Sequence, residues 1–235
     1  MIPLLIHDEQ ALSFGFPCVD RAFSGFRKGD FAVFHGHSFC KTLSFLLSVR
    51  CQLSKEDGGL NSTVVYVDGG NTFNPYAVSA IAQRQGLDPQ STLEKIFVSR
   101  AFTAYQLSSL IFEALENAVK RYKSKLVLIS DLTALFLDRD VPAKEALGVF
   151  SKVTVYLSEL VKRRDVIIAV SYFPHRRSRR GFFLESTLLG KATTVVRVEE
   201  ASGRLLFSLE KHPVLKHFAV DVLPSAVTLE KFVEA

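Results

Sequence analysis

DFAVFHGHSFCKTLSFLL, Asp30 to Leu47, is the stretch on which the reading of this chain turns. Phe31–Phe34 is a short apolar run bounded by polar residues, the signature of a buried strand. A loop, His35–Cys40, follows, and Lys41-Thr42 then opens an apolar pattern at helical spacing. Strand, loop, Lys-Thr and helix is the layout of a phosphate-binding loop, in which backbone N–H groups and a helix N-terminus hold an anion. The pattern G-x-x-x-x-G-K-T places glycines at positions 35 and 40. Here those positions are His35 and Cys40, Ser38 lies between them, and Gly36 stands in the wrong register. A side chain where such a loop needs positive φ costs roughly 1–2 kcal/mol, so the frame of a nucleotide site is present without its glycines.

Working outward, apolar strands alternate with amphipathic helices. VVYVD (Val64–Asp68) is a second buried strand with the tight turn GGN after it, and Pro75–Gln85 is a helix stopped by Gly86. Ile96–Phe102 is a third strand. Ala104–Lys120 carries Leu107, Leu110, Ile111, Ala114, Leu115 and Ala118 at helical spacing. LVLISD (Leu126–Asp131) and Val166–Phe173 are further strands, with a helix over Lys144–Arg163 between them. The tail, TTVVRVEE, GRLLFSLEKH and HFAVDVLP, has the texture of shorter, partly antiparallel strands. Near-continuous apolar strands separated by helices predict an α/β fold with a mainly parallel twisted sheet covered on both faces.

Composition narrows the class. The 235 residues are 48% hydrophobic and 23% charged, the range of a globular domain with a substantial core. No apolar run is long enough for a membrane span, and MIPLLIHDEQ lacks a signal-peptide pattern. Cys18, Cys40 and Cys51 form no C-x-x-C pair, which fits a reducing compartment. A cytoplasmic protein without a membrane partner is expected. The net charge of +5 points mildly to an anionic partner. His35 and His37 lie close together, but two ligands do not make a metal site, and none is expected.

The run Val64–Leu107, VVYVDGGNTFNPYAVSAIAQRQGLDPQSTLEKIFVSRAFTAYQL, resembles the RecA/RadA recombinase superfamily, which includes the KaiC-like ATPases. It reproduces that family's strand, acidic turn, "TF-P" helix, "GLDP" turn and "RAF" strand in order. LISDLTALF (Leu128–Phe136) is similar to the strand carrying the family's magnesium-binding aspartate, and EKHPVLKHF to its tail. The similarity runs from about Phe14 to Pro224. It implies a RecA-like P-loop NTPase core with short antiparallel strands at the C-terminal end, as a single domain over residues 1–235 without a separate N-terminal DNA-binding domain.

The resemblance also assigns the site. Lys41 and Thr42 match the family's phosphate-binding lysine and magnesium-binding hydroxyl, in a nucleotide site completed by His35, Gly36, Ser38, Cys40, Asp68 and Asp131. The catalytic glutamate falls on Gly70, the Asp-Ser pair is reversed as Ser130-Asp131, and the γ-phosphate sensor falls on Tyr172. Loss of a general base typically lowers a rate by about 10²–10⁴. No catalytic residue is therefore assigned, and ATP with magnesium is at most a weak ligand.

The first DNA-binding loop of the family corresponds to DRDVPAKEA, with Arg139 and Lys144 as its cations. The second corresponds to FPHRRSRRGFF (Phe173–Phe183), with Arg176, Arg177, Arg179, Arg180 and Phe182 as candidate contacts to single-stranded DNA. The expectation is an ATPase-deficient paralogue that assists recombination or repair, binding single-stranded DNA or a RadA/RecA-type recombinase, with self-association also open. Two other functions fit these residues. One is a KaiC- or RadA-like ATPase, active alone or completed by a partner; the other is a structural docking subunit of an oligomer.

Overall fold

The computed structural model describes residues 11–174, 178–201 and 203–222. Its strands are β1 (Ala11–Leu12), β2 (Phe26–Arg27), β3 (Phe31–Gly36), β4 (Val64–Asp68), β5 (Ile96–Arg100), β6 (Leu126–Ser130), β7 (Ile167–Tyr172), β8 (Thr194–Ala201), β9 (Arg204–Lys211) and β10 (Phe218–Val222). The helices are α1 (Pro17–Ala22), α2 (Phe39–Arg50), α3 (Pro75–Arg84), α4 (Pro89–Leu93), α5 (Ala104–Ser109), α6 (Leu115–Tyr122), α7 (Ala143–Arg164) and α8 (Arg179–Lys191).

Eight strands form one sheet in the order β10-β9-β8-β3-β7-β6-β4-β5. From β8 to β5 all pairings are parallel, whereas β8, β9 and β10 pair antiparallel. This is a RecA-like α/β core, as the alternation of strands and helices predicts. Strands β3, β4, β6 and β7 are buried almost throughout because helices cover both faces. One apolar core gathers Phe14, Phe26, Phe39 and Phe207 on the α2 side; the other gathers Phe31, Phe136, Phe150 and Leu157 under α7. Among the described residues, no helix is long and apolar enough to cross a membrane.

Local chemistry sets the element boundaries. Asn74 caps α3, its Oδ1 accepting from the N–H groups of Tyr76 and Ala77, with Pro75 at the first helical position. Asp88 caps α4 by accepting from Ser91 N–H, and Thr103 caps α5 by accepting from Gln106 N–H. The Thr103 cap explains why β5 stops at Arg100 and not at Phe102: the chain turns to start α5, leaving Phe102 64% exposed. A π-helical turn, Leu110–Ala114, interrupts the helix expected to be continuous from Ala104.

Candidate functional site

The largest departure from expectation lies in the loop after β3. The strand continues through Gly36 and α2 begins at Phe39, so only His37 and Ser38 separate them. Four backbone donors there are already used. His37 N–H donates to Val198 O at 2.8 Å, Phe39 N–H to His37 Nδ1 at 3.2 Å, Cys40 N–H to His37 O at 3.0 Å, and Lys41 N–H to Ser38 O at 3.0 Å. An anion nest needs such N–H groups pointing at the ligand; here tight turns and the neighbouring strand take them.

Gly36 meets a requirement of the sheet itself. Its φ is +117°, and an added Cβ would lie 2.2 Å from Val198 O. It is glycine because β3 and β8 approach one another closely at that point. Ser38 is exposed, while Cys40 and Thr42 are buried; burial drives the Cys40 thiol well above its ordinary pKa, leaving it protonated and inert.

His35 lies inside the strand, 2% exposed. Its ring stacks on Tyr172 of β7, with centroids 5.0 Å apart and planes 17° from parallel, in the register that pairs the two residues. His35 Nε2–H donates to Glu210 Oε2 at 2.8 Å, and Tyr172 Oη donates to Glu185 Oε1 at 3.0 Å. His37 pairs with Glu200 at 2.8 Å. Phe39 packs into the α2-side core against Phe16 and Phe207. The Lys41 side chain is exposed, with Nζ 5.5 Å from the centre of the Phe173 ring.

Asp68, at the end of β4, is fully enclosed. Its carboxylate accepts from Thr72 N–H at 2.9 Å, Phe73 N–H at 3.1 Å, Ser130 Oγ at 2.8 Å and Arg100 Nε at 3.0 Å. Burial alone would raise its pKa. The two N–H donors, Ser130 and the Arg100 charge outweigh burial and hold it below the usual 3.8. These bonds use both oxygens to tie the turn after β4 to β5 and β6.

Gly70 and Asp131 meet at the next layer. Asp131 lies one residue beyond β6 with φ at +46°, its N–H donating to Ser171 Oγ at 3.1 Å. An added Cβ at Gly70 would come within 2.9 Å of Asp131 Cβ. A glutamate at position 70 would therefore require Asp131 to move. Beside this pair an open cleft of about 410 Å³ is lined by Gly69, Asn71, Phe102, Leu135 and Asp138. Among the described residues, no group of three or more His, Cys, Asp or Glu is placed to hold a metal ion.

On the DNA side, Arg176 and Arg177 lie outside the described residues. Arg179 and Arg180 do not belong to a solvated loop: Ser178 Oγ accepts from Gly181 N–H and starts α8 at Arg179. Arg179 is exposed, but Arg180 is half-buried and its Nη1 donates to Val141 O at 3.0 Å, joining α8 to the loop before α7. Phe182 is 67% exposed and Phe183 42%, so neither belongs to the core. Lys144 is exposed in the first turn of α7.

The sequence matches the Rad51 family model over residues 16–166, well over half the chain. The chain belongs to the Rad51 family. The matched span holds β3 to α7 and ends before β7, so it includes the altered loop after β3, Asp68, Gly70 and Asp131. The Rad51-family model and the RecA-like sheet together place the chain among RecA-type, recombination-related proteins.

Neither Glu210 nor Glu200, the carboxylates that meet the two histidines, was expected from the sequence. Both sit in tail strands whose pairing depends on a bulge between Val195 and Val196. The alternation of VVRVEE and LLFSLEK signalled strands, but gave no signal for which residues would face β3.

Proposed function

We propose that this Rad51-family chain is an accessory factor in recombination or repair that does not turn over ATP and that contacts single-stranded DNA through residues 173–183. The observation that carries the first part is the engagement of the N–H groups of His37, Phe39, Cys40 and Lys41 in turns and strand contacts. The crowding of position 70 by Asp131 supports it. The second part is supported by exposed Arg179 and Phe182, which follow Arg176 and Arg177 in sequence, a cationic and aromatic combination suited to unpaired strands. In this reading residues 1–235 act as one RecA-like unit, and the protein partner is a recombinase of the same superfamily.

ATP turnover by the purified protein is expected at the level of background, with or without single-stranded DNA. Turnover above background that vanishes in Lys41→Ala would overturn the reading and favour an ATPase with an unusual loop. Titrating a labelled single-stranded oligonucleotide tests the DNA contact. If Arg176, Arg177 and Arg179 neutralise three phosphates, replacing them by alanine flattens the plot of log affinity against log salt by roughly 2. Arg180 is excluded from that variant because its bond to Val141 O is structural. An unchanged slope would remove this segment from the interface and favour a docking subunit.

Phe182→Ala separates packing from stacking. Because the side chain is 67% exposed, the melting temperature should hold. Single-strand affinity should fall by roughly 1–3 kcal/mol, the range for loss of one base-stacking ring. A lowered melting temperature with unchanged affinity would assign Phe182 to packing.

A further inference from the structure

A second charged surface lies at the other end of the sheet. Residues 116–125 close α6 and lead into β6; residues 159–165 close α7 and lead toward β7. Together they carry seven Lys/Arg against three carboxylates, an excess of four where the whole chain has +5. The two segments adjoin in space. Glu116 of α6 pairs with Lys120 at 3.4 Å, with Arg163 of α7 at 3.3 Å, and with Arg164. Both segments stand at the N-terminal ends of parallel strands, whereas Asp68, Tyr172 and Phe173 stand at the C-terminal ends.

Compensation of helix dipoles explains some of these cations, since a positive charge in a last turn stabilises a helix. It does not explain Lys123, which lies past α6 with φ at +51°, a conformation that favours glycine or asparagine. Arg121, Lys123 and Lys162 are all exposed. Aromatic rings also stand among the charges. Arg121 lies 5.5 Å from the Tyr122 ring centre and Arg163 5.4 Å from that of Tyr156. Tyr156 packs edge-on against Phe112, 37% exposed, and both line an open groove of about 390 Å³ with Val155 and Lys152.

We infer that this α6–α7 corner is a second nucleic-acid site, remote from residues 173–183. Phosphates of a single strand lie on Arg121, Lys123 and Lys162, and an unpaired base enters the groove against Phe112 and Tyr156. Clustered cations give salt-dependent affinity for a phosphodiester backbone, and rings open on one face give a stacking surface that a paired base in a duplex cannot reach. An acidic protein segment would find the same cations but would not need the aromatic groove. With both sites occupied, one molecule holds two strands, or two points of one strand, at opposite ends of its sheet.

The test is anisotropy of a labelled single-stranded oligonucleotide across a salt series, using Arg121→Gln, Lys123→Asn and Lys162→Gln combined. These replacements keep helix and left-handed preferences, so folding should be retained, which the melting temperature checks. The salt slope is expected to fall by roughly 2, from the loss of three phosphate contacts. The same fall should occur in the Arg176, Arg177, Arg179→Ala background, which separates this site from residues 173–183. A control lacking the exposed cations Lys55, Arg204 and Lys216 changes net charge equally and should leave the slope in place. An unchanged slope in the corner variant, or an equal fall in the control, overturns the site. So does a corner variant that loses affinity for labelled polyglutamate while its DNA slope stays constant, because the partner would then be an acidic protein.

Discussion

Asp68→Ala is expected to lower the unfolding free energy by roughly 2–3 kcal/mol, the upper part of the range for leaving buried donors without their acceptor. The carboxylate accepts from the Thr72 and Phe73 N–H groups, Ser130 Oγ and the exposed Arg100; replacing it leaves the two N–H groups and the hydroxyl without that acceptor, while water can reach Arg100. Urea denaturation measures the loss directly. A loss below about 1 kcal/mol would mean that water replaces the carboxylate and that the clamp is not structural. The pH dependence follows from the direction of its pKa. With the folded value below 3.8, the contribution is present above that pH and is lost as pH falls through the folded value. Wild type should therefore lose part of its stability below about pH 4 that Asp68→Ala has already lost.

The second large effect concerns the loop after β3. Restoring the family's glycines with His35→Gly and Cys40→Gly is expected to give no gain in ATP affinity and a destabilised protein. His35 supplies the stack on Tyr172 and the bond to Glu210, and Cys40 is fully buried in the first turn of α2. Removing both side chains and adding two glycines should cost roughly 3 kcal/mol or more. If steric exclusion by the two side chains were the only obstacle, the variant would bind nucleotide better than wild type. Fluorescent ATP titration beside a melting curve distinguishes the outcomes, and improved binding would refute the engaged-donor account. Reopening the loop also requires breaking the Cys40–His37 and Lys41–Ser38 turns, which neither substitution does.

Much of the fold was legible along the chain because its signals are local. Apolar runs such as VVYVD and LVLIS lie in strands buried on both faces, and the cap Asn74-Pro75 sits beside the helix it starts; LDPQ, which reads as a turn, instead starts α4 at Pro89. The glycine at position 70 was legible too, whatever surrounds it. The helical start at Arg179 was obscured by the density of arginines, although the Ser178 cap that sets it was present in the sequence. The basic corner was also hidden: its charges are divided between segments more than thirty residues apart that meet where α6 and α7 share a core and Glu116 bridges them.

The sequence by itself determined the alternation of strands and helices, the RecA-like core and the presence of His35, Cys40 and Gly70 at their positions. Only the tertiary structure decided what those positions do instead. His35 turns from a loop residue into a buried partner of Tyr172 and Glu210, and Asp68 becomes a clamp across β4, β5 and β6. The reason is physical. Periodicity and capping act within a few residues, whereas these pairings depend on strand register between segments that lie 32 to 175 residues apart.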